Sequence, residues 1–172
     1  MSETTGAPVI VREADPQEYA EAGRVTAEAY REFARAGDAD WQDYLDSIAD
    51  VEGRAGRTTI MVALDGDRIV GTATLELVDR VEPEDDPSLH PKEAHIRMLG
   101  VHPDERHRGI ARALMQACFA RAETEGKAFI TLHTTRRMRA AQRMYEAMGF
   151  ERLEDRAFLD GFVLLTYRRA IG

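Results

Sequence analysis

The chain is poor in cysteine and tryptophan, and it has no long apolar run. Cys118 and Trp41 are the sole residues of their types among 172. A single thiol cannot close an intramolecular disulfide, so the fold has to rest on its core. No stretch approaches the roughly 20 apolar residues that span a bilayer, and neither a transmembrane helix nor a membrane partner is expected. Met1-Ser2-Glu3-Thr4-Thr5-Gly6-Ala7 lacks the basic start and apolar stretch of a secretion signal. A cytoplasmic protein is the expectation. Positive charge is also missing overall, with a formal net charge of −8. Nucleic-acid binding depends on neutralising phosphates, so that class is disfavoured. The five histidines show no H-x-x-x-H or similar spacing, and no metal site is expected.

What is present suits one domain over residues 1–172, with 1–8 as a flexible lead-in. The charge is uneven. Residues 1–100 hold 10 Lys+Arg against 22 Asp+Glu, and residues 101–172 hold 13 against 9. The C-terminal part can therefore hold an anion, while the acidic part reads as a solvated surface.

Apolar spacing outlines the elements. Val9 to Val11 reads as a strand. Asp15-Pro16 opens a helix to Ala36, with Tyr19, Ala22, Val25, Ala29 and Phe33 on one face. A second helix covers Trp41 to Ala49, with Trp41, Tyr44, Leu45 and Ile48 together, and Gly53 to Gly56 is a break. Thr58 to Leu64 and Ile69 to Leu77 are strands joined by the turn Asp65-Gly66-Asp67-Arg68. Asp79 to Pro91 is an acidic surface loop. A strand over Ala94 to Val101 precedes a helix from about Gly109 to Glu125, striped by Ile110, Ala113, Leu114, Ala117 and Cys118. Phe129 to Thr134 is a strand and Met138 to Met148 a helix. Strands near 152–158 and 162–168 close the chain, with Asp160-Gly161 as their turn. The result is a mixed sheet with packed helices, an α/β layer fold.

Between the strand ending at Val101 and the next helix lies Arg106-His107-Arg108-Gly109-Ile110-Ala111. The first amides of a helix have no partner within it and carry the positive end of its dipole. Gly109 and Ala111 let a ligand approach the backbone, and Arg106, Arg108 and Arg112 add charge. This is an anion site suited to a pyrophosphate. The rival phosphate loops G-x-x-x-x-G-K-[ST] and G-x-G-x-x-G are absent.

Three segments in this order resemble the GNAT superfamily of N-acetyltransferases. Met98-Leu99-Gly100-Val101-His102-Pro103 is similar to the family's L-x-V-x-P strand exit. The turn at Arg106 matches [QR]-x-x-G-x-[GA]. Ala141 to Phe150 matches A-x-x-[LM]-Y-x-x-x-G-F. The resemblance implies a mostly antiparallel mixed sheet of about seven strands, with helices on both faces and a splay between strands 4 and 5. It implies acetyl-CoA as donor, paired with backbone groups of Leu99, Gly100 and Val101, its pyrophosphate on amides of His107 to Ala111. A backbone N–H near Leu99 would polarise the thioester carbonyl, and Tyr145 would protonate the departing thiolate. The acceptor would be a primary amine on a small molecule or a peptide, the transfer direct, and a homodimer is compatible. Tyr30, Trp41 and Tyr44 fall where the family shapes its acceptor pocket.

Two positions depart from the family. Met138 stands where the family often has Asn, so no polar side chain is available there. His95 stands where a Glu often serves as base, and histidine suits that role near neutral pH. Without a bulge, strand alternation puts His95, Arg97, Leu99 and Val101 on one face, with Glu93 in the same parity. These departures leave open a silent module that binds acyl-CoA without turnover. Cys118 reads as a packed small hydrophobe, since direct transfer needs no thiol.

Overall fold

The computed structural model describes residues 8–33, 39–77, 90–157 and 163–171. The lead-in up to Ala7, the acidic loop over 78–89 and the turn at Asp160-Gly161 lie outside the described residues. The elements run β1 (Ile10–Glu13), α1 (Tyr19–Tyr30), α2 (Ala39–Ala49), α3 (Val51–Ala55), β2 (Thr59–Asp65), β3 (Arg68–Leu77), β4 (Glu93–Val101), α4 (Ile110–Thr124), β5 (Phe129–Thr134), α5 (Arg139–Ala147), β6 (Glu151–Arg152), β7 (Arg156–Ala157) and β8 (Val163–Ala170). Short 3-10 turns flank α1 at both ends, and another, Pro103–Glu105, follows β4. Among the described residues no helix is long and apolar enough to cross a membrane.

The strands form one sheet in the order β1-β2-β3-β4-β5-β8-β6, with β7 on β8. β1 pairs β2 antiparallel, and β8 pairs antiparallel with β5, β6 and β7. β4 and β5 are parallel, but only from Glu93↔Phe129 to Ile96↔Leu132, while β4 runs on to Val101. The expected architecture is present, with eight strands among the described residues rather than about seven. The extra strand arises because the segment expected as one strand near 152–158 is two short ones. Leu153 N–H donates to Thr166 O at 2.8 Å, and an Arg152–Asp155 ion pair at 3.0 Å bridges the break.

The chain divides into two compact units. One comprises Met1–Gly56, Ile60–Ala73 and Met98–Ala117; the other Arg57–Thr59, Thr74–Arg97 and Cys118–Gly172. In the first unit, β3 shows why helices lie on both faces of the sheet. Neighbouring strand residues point to opposite faces. A Cβ at Gly71 would meet Ile110 and Leu114 of α4 at 2.9 and 3.0 Å. The next residue, Thr72, instead meets Thr26 of α1, hydroxyl to hydroxyl at 2.6 Å. Under α1 lies a core of Ala14, Ala22, Val25, Val51, Ile60, Val62, Leu64 and Ile69. Each large aliphatic member contributes about 1.5–3 kcal/mol by burial.

Two helical expectations need correction in this unit. The predicted break at Gly53 to Gly56 is mostly the short helix α3. Asp50 caps it by accepting the Gly53 N–H at 3.0 Å. The buried Arg54 donates to Ile48 O and Asp50 O at 2.9 and 3.1 Å. These bonds close the turn despite its glycines. Tyr44, expected on the apolar face of α2, is 41% exposed, whereas Leu45 and Ile48 are buried.

In the second unit, Tyr145 packs against Phe150 and Tyr167 with ring centroids 5.7 and 5.8 Å away, and Phe119 meets Phe150 at 5.8 Å. Cys118 is fully buried, and loss of hydration pushes its thiol up to about 12. It is a packed core side chain, as the stripe of α4 predicted. A folded pKa raised above the unfolded value means stability present below the ordinary thiol range and lost as pH rises toward 12. We expect Cys118 to resist an aromatic disulfide reagent at pH 8 in the native protein and to react at once in denaturant. Rapid native labelling would contradict its burial.

Candidate active site

The site begins at the end of β4. Met98 has φ 54, a left-handed conformation inside a strand. One such residue shifts the alternation of side chains. The expectation that His95, Arg97, Leu99 and Val101 share one face is therefore corrected, because the parity does not carry through Met98. Beyond it, Gly100 is required by packing, since a Cβ there would stand 2.8 Å from the Cβ of Ala29. The closeness of α1 lets Tyr30 Oη donate to Leu99 O at 3.1 Å. That carbonyl is thus already engaged, and Tyr30, a residue of the expected acceptor region, holds β4 directly. Tyr30 also meets Phe33 and Tyr44 edge-on at 6.3 and 6.5 Å, and Trp41 lies 5.1 Å from Tyr44.

The chain leaves β4 through His102, whose N–H donates to Val70 O at 2.9 Å and whose Nδ1 accepts from Asp104 N at 3.2 Å. The turn follows. His107 has φ 65 and Gly109 φ 73. Two left-handed residues flanking one other turn successive N–H groups toward a common concavity, a nest for an anion. Gly109 O accepts from Ala113 N at 3.0 Å, so α4 starts immediately. The amides of Ile110, Ala111 and Arg112 then have no carbonyl within the helix to bond. Ile110 is buried and touches β3 at Gly71, which anchors the helix start. A Cβ at Gly109 would meet nothing within 4 Å, so the concavity is open on that side. A diphosphate fits a backbone cradle of this kind.

Two of the turn's arginine side chains have carboxylate partners. Arg106 is ion-paired with Glu32 and reaches Ala29 O at 3.4 Å. Arg108 bonds Asp65 Oδ2 at 3.0 Å and Glu105 Oε2 at 2.5 Å. Arg68 takes the other Glu105 oxygen at 2.5 Å. Arg108, then Arg68, hold the Glu105 carboxyl below its usual range. Arg112 is exposed on α4. The open amides at the start of α4 add positive potential that does not depend on these side chains. Arg108→Ala is expected to weaken coenzyme A binding less than about tenfold, the scale of an exposed ion pair. Calorimetric titration measures it, and a loss of a hundredfold would restore Arg108 as a direct ligand.

The other two predicted residues, Tyr145 and His95, belong to the second unit. Tyr145 is 5% exposed, and burial, then the neighbouring Tyr167, push its phenol upward. It keeps its proton at neutral pH, as an acid must. His95 is 3% exposed, and its Nδ1 lies 2.8 Å from Thr131 Oγ1. Its ring sits 4.9 Å from that of His133. Thr131 and His133 beside His95, and Tyr30 as an anchor of β4, were not among the residues expected here. A usable signal existed for the first two. Glu93-x-His95 on β4 and Thr131-x-His133 on β5 share strand parity, and the parallel register sets His95 opposite Thr131.

Comparison with known proteins bears on the family and the fold. The family model described as "Acetyltransferase (GNAT) family" matches residues 23–150. Rat N-acetyltransferase family 8 member 3 is 35% identical over 72 residues, 42% of this chain and 32% of the relative. The match thus spans about a third of that relative's length. Among solved structures, yncA of Salmonella typhimurium with its cofactor acetyl-CoA superposes with a TM-score of 0.69 at 17% identity, covering 96% of this chain and 95% of that one. The PaiA N-acetyltransferase of Thermoplasma acidophilum in complex with coenzyme A gives 0.71 at 12%, covering 95% and 100%. At such identities the likeness is one of fold.

Proposed function

The chain belongs to the GNAT acetyltransferase family, and from that premise we propose that it moves the acetyl group of acetyl-CoA to a primary amine by direct transfer in a ternary complex. The observation that carries the donor half is the pair of left-handed residues, His107 and Gly109, at the start of α4. Amides of this turn hold the donor's diphosphate, and backbone groups of Leu99 to Val101 align its pantetheine arm. The N–H near Leu99 polarises the thioester carbonyl, worth about 3–4 kcal/mol for a well-placed donor. Tyr30, bound to the carbonyl of Leu99, keeps that segment in place.

The protons balance as follows. The attacking amine gives up one proton to His95, directly or through water, as its C–N bond forms. The C–S bond breaks, and the leaving thiolate takes the proton of Tyr145. His95 then returns to neutral and Tyr145 regains its proton from solvent. Met138 offers no polar side chain, so any donor contact there comes from backbone.

Thiol release from acetyl-CoA, measured against a panel of small amines and peptide amino termini, tests the proposal. Release with at least one amine is expected. Tight coenzyme A binding without release for any amine would favour the silent module instead. His95→Ala is expected to lose the acidic limb of the kcat/KM profile, where the base is titrated. A profile identical to that of the unmodified protein would remove His95 from the reaction.

A further inference from the structure

The second unit holds a buried hydrogen-bonded chain that ends on His95. β4 places Glu93 and His95 two residues apart, and the parallel register sets His95 opposite Thr131. Glu93, His95 and Thr131 are all buried. Thr131 Oγ1 donates to Glu93 Oε1. The second oxygen of Glu93 accepts the His90 N–H at 2.8 Å. His95 Nδ1 and Thr131 Oγ1 are 2.8 Å apart.

Counting protons decides the state of the histidine. A threonine hydroxyl has one proton to give, and here it goes to Glu93. Thr131 must then accept from His95, so Nδ1 carries a hydrogen. A neutral imidazole has one N–H, which leaves the lone pair on Nε2. We propose that Thr131 and Glu93 are positioning residues that pin the His95 proton to Nδ1 and so present Nε2 as the basic nitrogen of the acyl transfer. This rests on the reading that His95 takes the amine proton.

The chemistry is self-consistent. The amine N–H breaks and Nε2–H forms, while Nδ1–H and the Thr131 O–H stay where they are. The positive charge that arises on the ring lies two hydrogen bonds from the Glu93 carboxylate. Among the described residues, His133 and Arg97 nearby have partners of their own. His133, stacked on His95 at 4.9 Å, bonds Thr166 through Nδ1 at 3.0 Å. Arg97, two residues on, pairs with Glu76 at 2.8 Å. A histidine with only a packing role needs one acceptor; it does not need a hydroxyl interposed before a buried carboxylate.

The test is a long-range proton–nitrogen correlation spectrum of the full chain labelled at histidine, with the His95 signals assigned by their loss in His95→Gln. At a pH where the ring is neutral, Nδ1 should be protonated and Nε2 bare. Thr131→Ser, which keeps the hydroxyl, should preserve this pattern and the turnover. Thr131→Val, close in shape, leaves a buried Nδ1–H without its acceptor. It should shift the proton toward Nε2 and lower kcat roughly tenfold or more, as loss of an orienting partner does, with coenzyme A affinity unchanged. A proton on Nε2 in the unmodified protein overturns the proposal even if the valine variant fails to fold. So does an unaltered tautomer in a folded Thr131→Val. An unchanged pH profile in His95→Ala would instead sink the base reading and the catalytic half of the proposal, leaving the tautomer result in place.

Discussion

Tyr145→Phe is expected to lower kcat by roughly 10²-fold, the scale of losing one general acid, while leaving coenzyme A affinity unchanged. The substitution deletes one oxygen and keeps the ring, so the contacts with Phe150 and Tyr167 at 5.7 and 5.8 Å survive. The loss therefore reports the hydroxyl rather than the packing. Burial pushes this phenol above the ordinary tyrosine range, so it carries a proton to deliver at any working pH. The same shift has a stability consequence of definite sign. The unfolded phenol ionises near pH 10, while the folded one holds its proton. Stability contributed below that pH is lost as pH rises further. The phenylalanine variant lacks this loss, so the gap in melting temperature between the two proteins should narrow or reverse in strong alkali. Undiminished turnover in Tyr145→Phe would end the acid role.

The second large effect concerns the donor cradle. Gly109→Asp is expected to weaken coenzyme A binding by on the order of 10²- to 10³-fold, because like charges about 4 Å apart near a surface repel by roughly 4 kcal/mol. Gly109→Asn is the matched control. Asn and Asp both tolerate the left-handed conformation better than other side chains, and Gly109 stands at φ 73 with open space where a Cβ would go. The two variants should therefore fold alike and differ in charge alone. Calorimetric titration at low and high salt separates them. The aspartate deficit should shrink with ionic strength, and the asparagine variant should stay much nearer to the unmodified protein. Equal losses in both would mean that the turn binds through shape at Gly109 and not through its field.

Much of the turn before α4 was legible because it is local. His107 to Ala111 are consecutive, the helix start follows at once, and an anion turn is a property of a few neighbouring peptide units. β5 was also readable, a β-rich run between two helical patterns, and it occupies Phe129–Thr134 as expected. Tyr145 could be placed on the buried face of α5 from helical spacing alone. The misses share a different character. Nothing near Arg108 in the sequence marks its bond to Asp65, 43 residues earlier. The helix α3 was hidden behind two glycines, because its closing bonds come from the Asp50 side chain and from a buried arginine. The left-handed Met98 carries no sequence mark at all, yet it undid the parity across β4.

The order of most elements, the layer architecture and the turn with its glycine before α4 followed from the sequence itself, since periodicity, turn residues and helix ends act over a few residues along the chain. Tertiary structure alone decided which arginines were already spent on carboxylates, that Tyr30 would hold the carbonyl of Leu99 across 69 residues, and that Thr131 would stand between His95 and Glu93. Those outcomes depend on strand register and on how α1 seats on the sheet. A hydrogen bond tolerates only a few tenths of an ångström of misplacement, and no local pattern specifies distances that fine between residues so far apart in the chain.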